Sequence, residues 1–173
     1  MITEKVSGIP FHAFMKANVF DPLGMTVTLV YDESKPSINN RAIGYSMDGT
    51  LADYNILTTG AGGIFSTVDD IHLWDLSLYT STLVSYGTIY EAFTPIILND
   101  GEISNYGFGW FIYEDERRKT VSHSGNLSGF RTHICRDIVN KNAYIILTNN
   151  GDAIEMNKVV NAIRDFLDPL ISE

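Results

Sequence analysis

The chain has 173 residues, enough for one domain or one and a half, with a real core. Hydrophobic residues make up 45% and charged residues 19%, the balance of a globular chain and not a disordered one. A formal net charge of −9 argues against a nucleic-acid groove or an anionic membrane as partner, and the single cysteine, Cys135, excludes an internal disulfide framework and a cysteine-rich zinc module. No apolar run reaches the length of a membrane span; the longest candidates, such as Ala143–Leu147, are strand-sized.

In chain order, residues 2–7 read as the last turn of a helix, apolar at Ile2 and Val6 and stopped by Gly8 at the C′ position. Residues 1–8 lack the basic start and apolar run of a secretory signal. Either that helix is very short or the chain begins inside a larger fold. Pro10 to Phe20 opens on proline and carries Phe11, Phe14 and Met15 at spacings of three and four, which predicts a short amphipathic helix. Asp21-Pro22-Leu23-Gly24-Met25 breaks it with turn chemistry. Residues 31–59 read as irregular, loop-like at Ser34-Lys35-Pro36-Ser37 and Asn39-Asn40, with a short strand over Arg41–Tyr45.

Gly60-Ala61-Gly62-Gly63 is a flexible turn, and Ser66, with Asp69 three residues on, is the expected cap of a helix over Thr67–Tyr79. Ile71, Trp74 and Leu78 line one face of it. Asp69 and Asp70 read as charges favoured by the helix dipole. A second helix covers Tyr86–Phe93 and ends before Pro95. From Tyr106 the hydrophobic period switches to two, predicting four strands, Tyr106–Glu114, Thr120–His123, Phe130–Arg136 and Ala143–Thr148, in an antiparallel meander. Asp152, with Glu155, caps a last helix whose stripe of Met156, Val159, Val160, Ile163, Phe166, Leu167 and Leu170 must be buried against the sheet. The fold class is α+β: a partial helical and loop subdomain over 1–105, and an antiparallel sheet with a packed C-terminal helix over 106–173.

The chemistry-bearing motifs are mostly absent. No lysine follows a serine at the Ser-x-x-Lys spacing, and no serine stands in a Gly-x-Ser-x-Gly elbow. Gly60-x-Gly62 lacks a third glycine, Phe65 standing there, so no dinucleotide site is read. His12, His72, His123 and His133 show no His-x-x-x-His spacing; His123 and His133 fall on neighbouring strands but lack a third ligand, so neither a metal nor another cofactor is expected. Cys135 reads as a buried, inert thiol, Trp74, Trp110 and Phe108 as packing aromatics, and Tyr106 as either a packed strand aromatic or a residue that lines a cleft. The segment Ser122–Phe130 concentrates one histidine, three serines and two glycines between two strands. It fits a hairpin turn with glycines for conformational reasons, and it also fits close backbone approach by a ligand. Arg131 beside it suits either an anionic substrate or a solvated sheet edge.

Four stretches in order carry a resemblance: Ile2–Gly8 running to Pro22-Leu23-Gly24-Met25, Ala61–Ile71, Tyr106-Gly107-Phe108-Gly109-Trp110, and His123-Ser124-Gly125. Together they resemble the C-terminal part of the serine β-lactamase-like family, which includes class C β-lactamases, D-alanyl-D-alanine peptidases and esterases. The resemblance implies the C-terminal portion of a β-lactamase/transpeptidase-like fold and an acyl-serine mechanism on a small acyl or peptide-like substrate. His123-Ser124-Gly125 then takes the place of the family's third motif. His123 would tune the cleft, Ser124 would contact the substrate or proton relay, Gly125 would let the substrate backbone approach, and the Asn126 N–H would serve the oxyanion hole. Histidine where lysine is common makes a poorer partner for a carboxylate. The family's Ser-x-x-Lys and Tyr-x-Asn do not occur in the 173 residues. The expectation is therefore a C-terminal fragment of a serine acyl-hydrolase, inactive alone, against the alternative of a non-catalytic binding module on the same scaffold. The resemblance also implies that strands absent here pair with residues 143–148, leaving a hydrophobic edge suited to a homodimer. The family works mostly outside the cytoplasm; residues 1–173 do not themselves specify a compartment.

Overall fold

The computed structural model describes residues 1–32, 37–52, 59–116 and 118–171. The loop expected at Ser34-Lys35-Pro36 lies outside them. Backbone contacts divide the chain into two compact units, Met1–Ala42 with Asn55–Tyr90 and Ile43–Tyr54 with Glu91–Glu173, where the sequence suggested a division between residues 105 and 106.

In the first unit, α1 (Ile2–Ser7) ends as expected, with Gly8 left-handed at φ 75° and its N–H donating to the Glu4 carbonyl at 2.8 Å. α2 (Phe11–Met15) does not stop at Asp21-Pro22. It widens into a π-helical turn over Lys16–Phe20 and continues as α3 (Asp21–Leu23) until Gly24, at φ 73°, terminates it. Pro22 is tolerated because it falls in the first turn of α3, where a missing N–H breaks no helical bond. This run turns Phe11, Met15, Val19, Phe20 and Leu23 towards one cluster with Met25, Val30 and Trp74. β1 (Leu29–Val30) pairs antiparallel with β2 (Ile64–Phe65).

α4 (Val68–Ser77) follows with its half-buried face at Ile71, Trp74 and Leu78. Its cap is Thr67 and not Ser66: Thr67 Oγ1 accepts from the Asp70 N–H at 3.3 Å, while Ser66 Oγ lies 2.7 Å from Thr28 Oγ1. Asp70 is more than a dipole charge. It is 5% exposed, and its Oδ2 accepts from the Val27 N–H at 3.0 Å and the Thr28 hydroxyl at 2.7 Å, tying α4 to the start of β1. α5 (Tyr86–Ala92) holds the division between the units.

In the second unit, α5 is followed by a hairpin that the sequence pattern did not show, β3 (Ile96–Ile97) with β4 (Ile103–Ser104), both too short for a visible alternation. The main sheet is the expected antiparallel meander of β5 (Phe111–Glu114), β6 (Lys119–Leu127), β7 (Phe130–Asp137) and β8 (Asn142–Thr148), in spatial order 5-6-7-8. Tyr106 to Trp110 is not strand: Gly109 at φ 79° and the Gly107 N–H to Trp110 carbonyl bond make it a turn. Trp110 is buried edge-on against Phe93, with ring centroids 5.7 Å apart, but Phe108 is 54% exposed and is no core residue. Arg41–Tyr45 forms no strand; Tyr45 makes isolated bridges to Leu51 and Asn150. Residues 44, 45 and 52 meet the β6–β7 turn so closely that a Cβ on Gly129 would collide with the Tyr45 nitrogen and the Gly44 carbonyl carbon. Asp152 falls in a separate 3-10 turn (Gly151–Ala153), and α6 (Met156–Ile171) starts after it. The α6 stripe is only partly covered: Val160 is buried and Met156, Ile163 and Leu167 half-buried, whereas Phe166 is 71% exposed. Among the described residues no helix is long and apolar enough to cross a membrane.

Replacing Asp70 with alanine strips the Val27 N–H and Thr28 hydroxyl of their acceptor. Denaturant unfolding of the Asp70→Ala chain should show a loss of about 1.5–3 kcal/mol, the range for hydrogen bonds to a charged group. An unchanged midpoint would mean that Asp70 is not the tie.

Candidate active site

The site follows from where two neighbouring strands stop. β5 ends opposite Ser122, because the glycine turn before Phe111 carries the chain away from the ladder. β6 does not end at His123 as the sequence suggested. It runs to Leu127, so His123, Ser124, Gly125 and Asn126 all lie within a strand, and the turn shrinks to Ser128-Gly129, with Ser128 left-handed at φ 48°.

Backbone direction on β6 can be read from one bond. The Ile138 N–H donates to the Lys119 carbonyl at 2.9 Å, so odd-numbered residues of β6 turn their backbone groups to β7 and even-numbered ones to the β5 side. Beyond Ser122 no strand among the described residues pairs with β6 on that side. The N–H and C=O groups of Ser124 and Asn126 therefore face an open edge.

Side chains alternate in the same register. His123 and Gly125 share a face with Ile134 and Thr132, and Ser124 and Asn126 share the other with His133 and Arg131. His123 Nε2 lies 3.0 Å from the Tyr106 hydroxyl, and its ring stacks on Phe111 at 5.8 Å. Tyr106 and Phe111 themselves meet edge to face at 4.8 Å. Tyr106 thus stands beside His123, in a turn and not in the strand that patterning predicts; the aromatic–glycine alternation of 106–110 is the available signal of that turn.

A Cβ at Gly125 would meet Thr132 Oγ1 across the strand pair, so a larger residue there would have to displace the Thr132 side chain. Ser124 is exposed, and its Oγ lies 2.8 Å from His133 Nδ1. The His133 ring stacks on Tyr144 at 5.7 Å and 25°. Burial, followed by the charges of Arg164 and His123, holds His133 below the ordinary histidine pKa. Sequence reasoning weighed His133 only as a metal ligand with His123. The two rings lie on opposite faces, and the described residues include no group of three His, Cys, Asp or Glu able to hold a metal. Arg131 Nη1 donates to the Ser128 and Phe130 carbonyls at 3.1 and 2.8 Å, bracing the turn. Cys135 is buried, and burial raises its thiol pKa, as an inert cysteine requires. Asn126 is exposed opposite Arg131.

The arrangement is a polar strand edge with two backbone donors and acceptors, flanked by a histidine–tyrosine pair and a serine–histidine pair. The Gly125→Ala chain should unfold at lower denaturant than wild type. Adding Thr132→Ala, which removes the colliding oxygen, should recover part of the loss; no recovery would show that the clash is not with Thr132.

The Beta-lactamase family model matches residues 1–165. Penicillin-binding protein 4* of Bacillus subtilis (strain 168) is 32% identical over 177 residues, covering 92% of this chain and 39% of the relative. The D-aminopeptidase of Gluconobacter oxydans (strain 621H) is 24% identical over 162 residues, covering 90% of this chain and 30% of the relative. Among solved structures, the octameric penicillin-binding protein homologue from Pyrococcus abyssi matches with a TM-score of 0.76 at 25% identity, over 96% of this chain and 39% of its own. The D-amino acid amidase of Ochrobactrum anthropi SV3, complexed with D-phenylalanine, shares the fold with a TM-score of 0.68 at 20% identity, over 98% of this chain and 57% of its own. The chain spans 30–41% of the length of the curated relatives it matches. The ordered set of segments, the α+β fold and the family match agree: the chain belongs to the Beta-lactamase family, serine hydrolases of the β-lactamase and penicillin-binding-protein type.

Proposed function

We propose that this chain supplies the substrate-binding strand of a serine acyl-hydrolase, with His123, Ser124, Gly125 and Asn126 as its part of the active site. The observation that carries this reading is the open edge of β6 at Ser124 and Asn126. An extended acyl or peptide-like group can add there as a further strand, its backbone bonded to those two residues. The Asn126 N–H then faces the scissile carbonyl as an oxyanion donor, while His123, held by Tyr106, flanks the reacting group. The attacking serine and its lysine come from a Ser-x-x-Lys motif, which the 173 residues do not contain, so the chain alone binds but does not acylate. Histidine at position 123 favours a neutral acyl group over a free carboxylate. Two relatives are named for D-amino acid chemistry, which suggests an acylated D-residue as the substrate class.

A probe of that class is N-acetyl-D-phenylalanine amide. Titrating it into the 15N-labelled chain should shift the Ser124 and Asn126 amides most, and intact mass after exposure to a fluorophosphonate or a reactive β-lactam should show no adduct. Shifts elsewhere with 124–126 silent would contradict the edge, and a stoichiometric adduct would contradict the absence of a nucleophile.

The second reading, an interaction module, draws on β8, which lies at the margin of the sheet with Leu147 41% exposed. A homodimer through residues 143–148 would pair two such edges, and the octameric state of the Pyrococcus abyssi homologue supports self-association in the family. Light scattering should give a dimer that Leu147→Lys converts to monomer; a monodisperse wild-type monomer would rule the dimer out.

A further inference from the structure

Ser124 and His133 face each other across β6 and β7, and the third-motif reading gives His133 no part. We propose that His133 is a positioning residue: it carries its single proton on Nδ1, donates it to Ser124 Oγ, and leaves the Ser124 hydroxyl hydrogen free for an acceptor oxygen of a ligand on the open edge of β6.

The geometry carries the first half. Nδ1 and Oγ are 2.8 Å apart, and the imidazole is fixed by its cross-strand pairing and by stacking on Tyr144, so the bond has one partner and one direction to choose. The far nitrogen makes the choice. Nε2 is buried and has no hydrogen-bond partner among the described residues. A proton there would be an orphaned donor, which folded proteins avoid more strictly than an under-used acceptor. The proton therefore sits on Nδ1. Burial, Arg164 and His123 all act against a second proton on the ring.

The second half follows from the inventory of a hydroxyl. Ser124 Oγ uses a lone pair on His133 and keeps its own O–H, which lies at an exposed position beside the open backbone groups. Ser124 then offers a donor to the ligand, selecting a carbonyl or carboxylate oxygen over an N–H. This half rests on the reading of the edge as the substrate strand; the tautomer does not.

Two-bond 1H–15N correlation of the imidazoles in the intact chain at pH 7 reads the tautomer directly. The expected His133 pattern is that of the Nδ1–H form, lost to a mixed pattern in Ser124→Ala. An Nε2–H pattern or a protonated ring overturns the proposal. For the second half, His133→Asn, whose amide can still donate to Ser124, should keep the affinity for N-acetyl-D-phenylalanine amide within about threefold. His133→Phe, which retains an aromatic ring against Tyr144 but has no donor, should lose about tenfold. Equal affinities in both variants, with the amide spectrum otherwise native, overturn the positioning role. Failure of the wild-type chain to bind the probe overturns the ligand half and the edge reading together, while the imidazole spectrum still decides the tautomer.

Discussion

The structure depends on a mismatch in strand length. β5 begins at Phe111 because Gly109 at positive φ and the bond between Gly107 and Trp110 turn the chain there, and Trp110 is locked into the core against Phe93. β6 meanwhile keeps its full pairing with β7 as far as Leu127. A strand bonded on one side only is unusual in a sheet interior and expensive to leave unused, since its backbone groups must find partners in water or in a ligand. Here the unpaired stretch carries the sequence His123-Ser124-Gly125-Asn126, polar where its neighbour Val121 is fully buried.

The alternation of a strand divides the labour around that edge. One face gives His123, steadied by Tyr106 and Phe111, and Gly125, where a Cβ would meet Thr132 Oγ1. The other gives Ser124, bonded to His133, whose ring leans on Tyr144. Each histidine thus meets a hydroxyl-bearing partner and an aromatic ring, on opposite faces of the sheet. The backbone of Ser124 and Asn126 lies between the two.

Much of this was legible in the sequence, for physical reasons that can be named. Gly8 marked a helix end because only glycine enters the left-handed region without penalty, and the period-two pattern of residues 130–148 marked β7 and β8 because one face of a strand must be apolar. His123-Ser124-Gly125 stood out through ordered resemblance, not periodicity. What periodicity missed were cases where a tertiary contact overrides a local rule. Pro22 did not stop the helix, because it falls in the first turn of α3, where no helical bond needs its N–H. Thr67 displaced Ser66 as cap because Ser66 is engaged with Thr28. β6 outran its apolar pattern because β7 pairs with its polar half. His133 was invisible as a site residue since its role exists only through the register that sets it opposite Ser124.

The account stands on the open edge, and residue-resolved amide hydrogen exchange tests it most directly. With β6 paired past Ser122 with β7 alone among the described residues, the amides of His123 and Gly125 should be protected while those of Ser124 and Asn126 exchange faster by about tenfold or more. Uniform protection from Val121 to Leu127 would mean that another segment covers the edge, and the substrate strand proposed here would not exist in the chain.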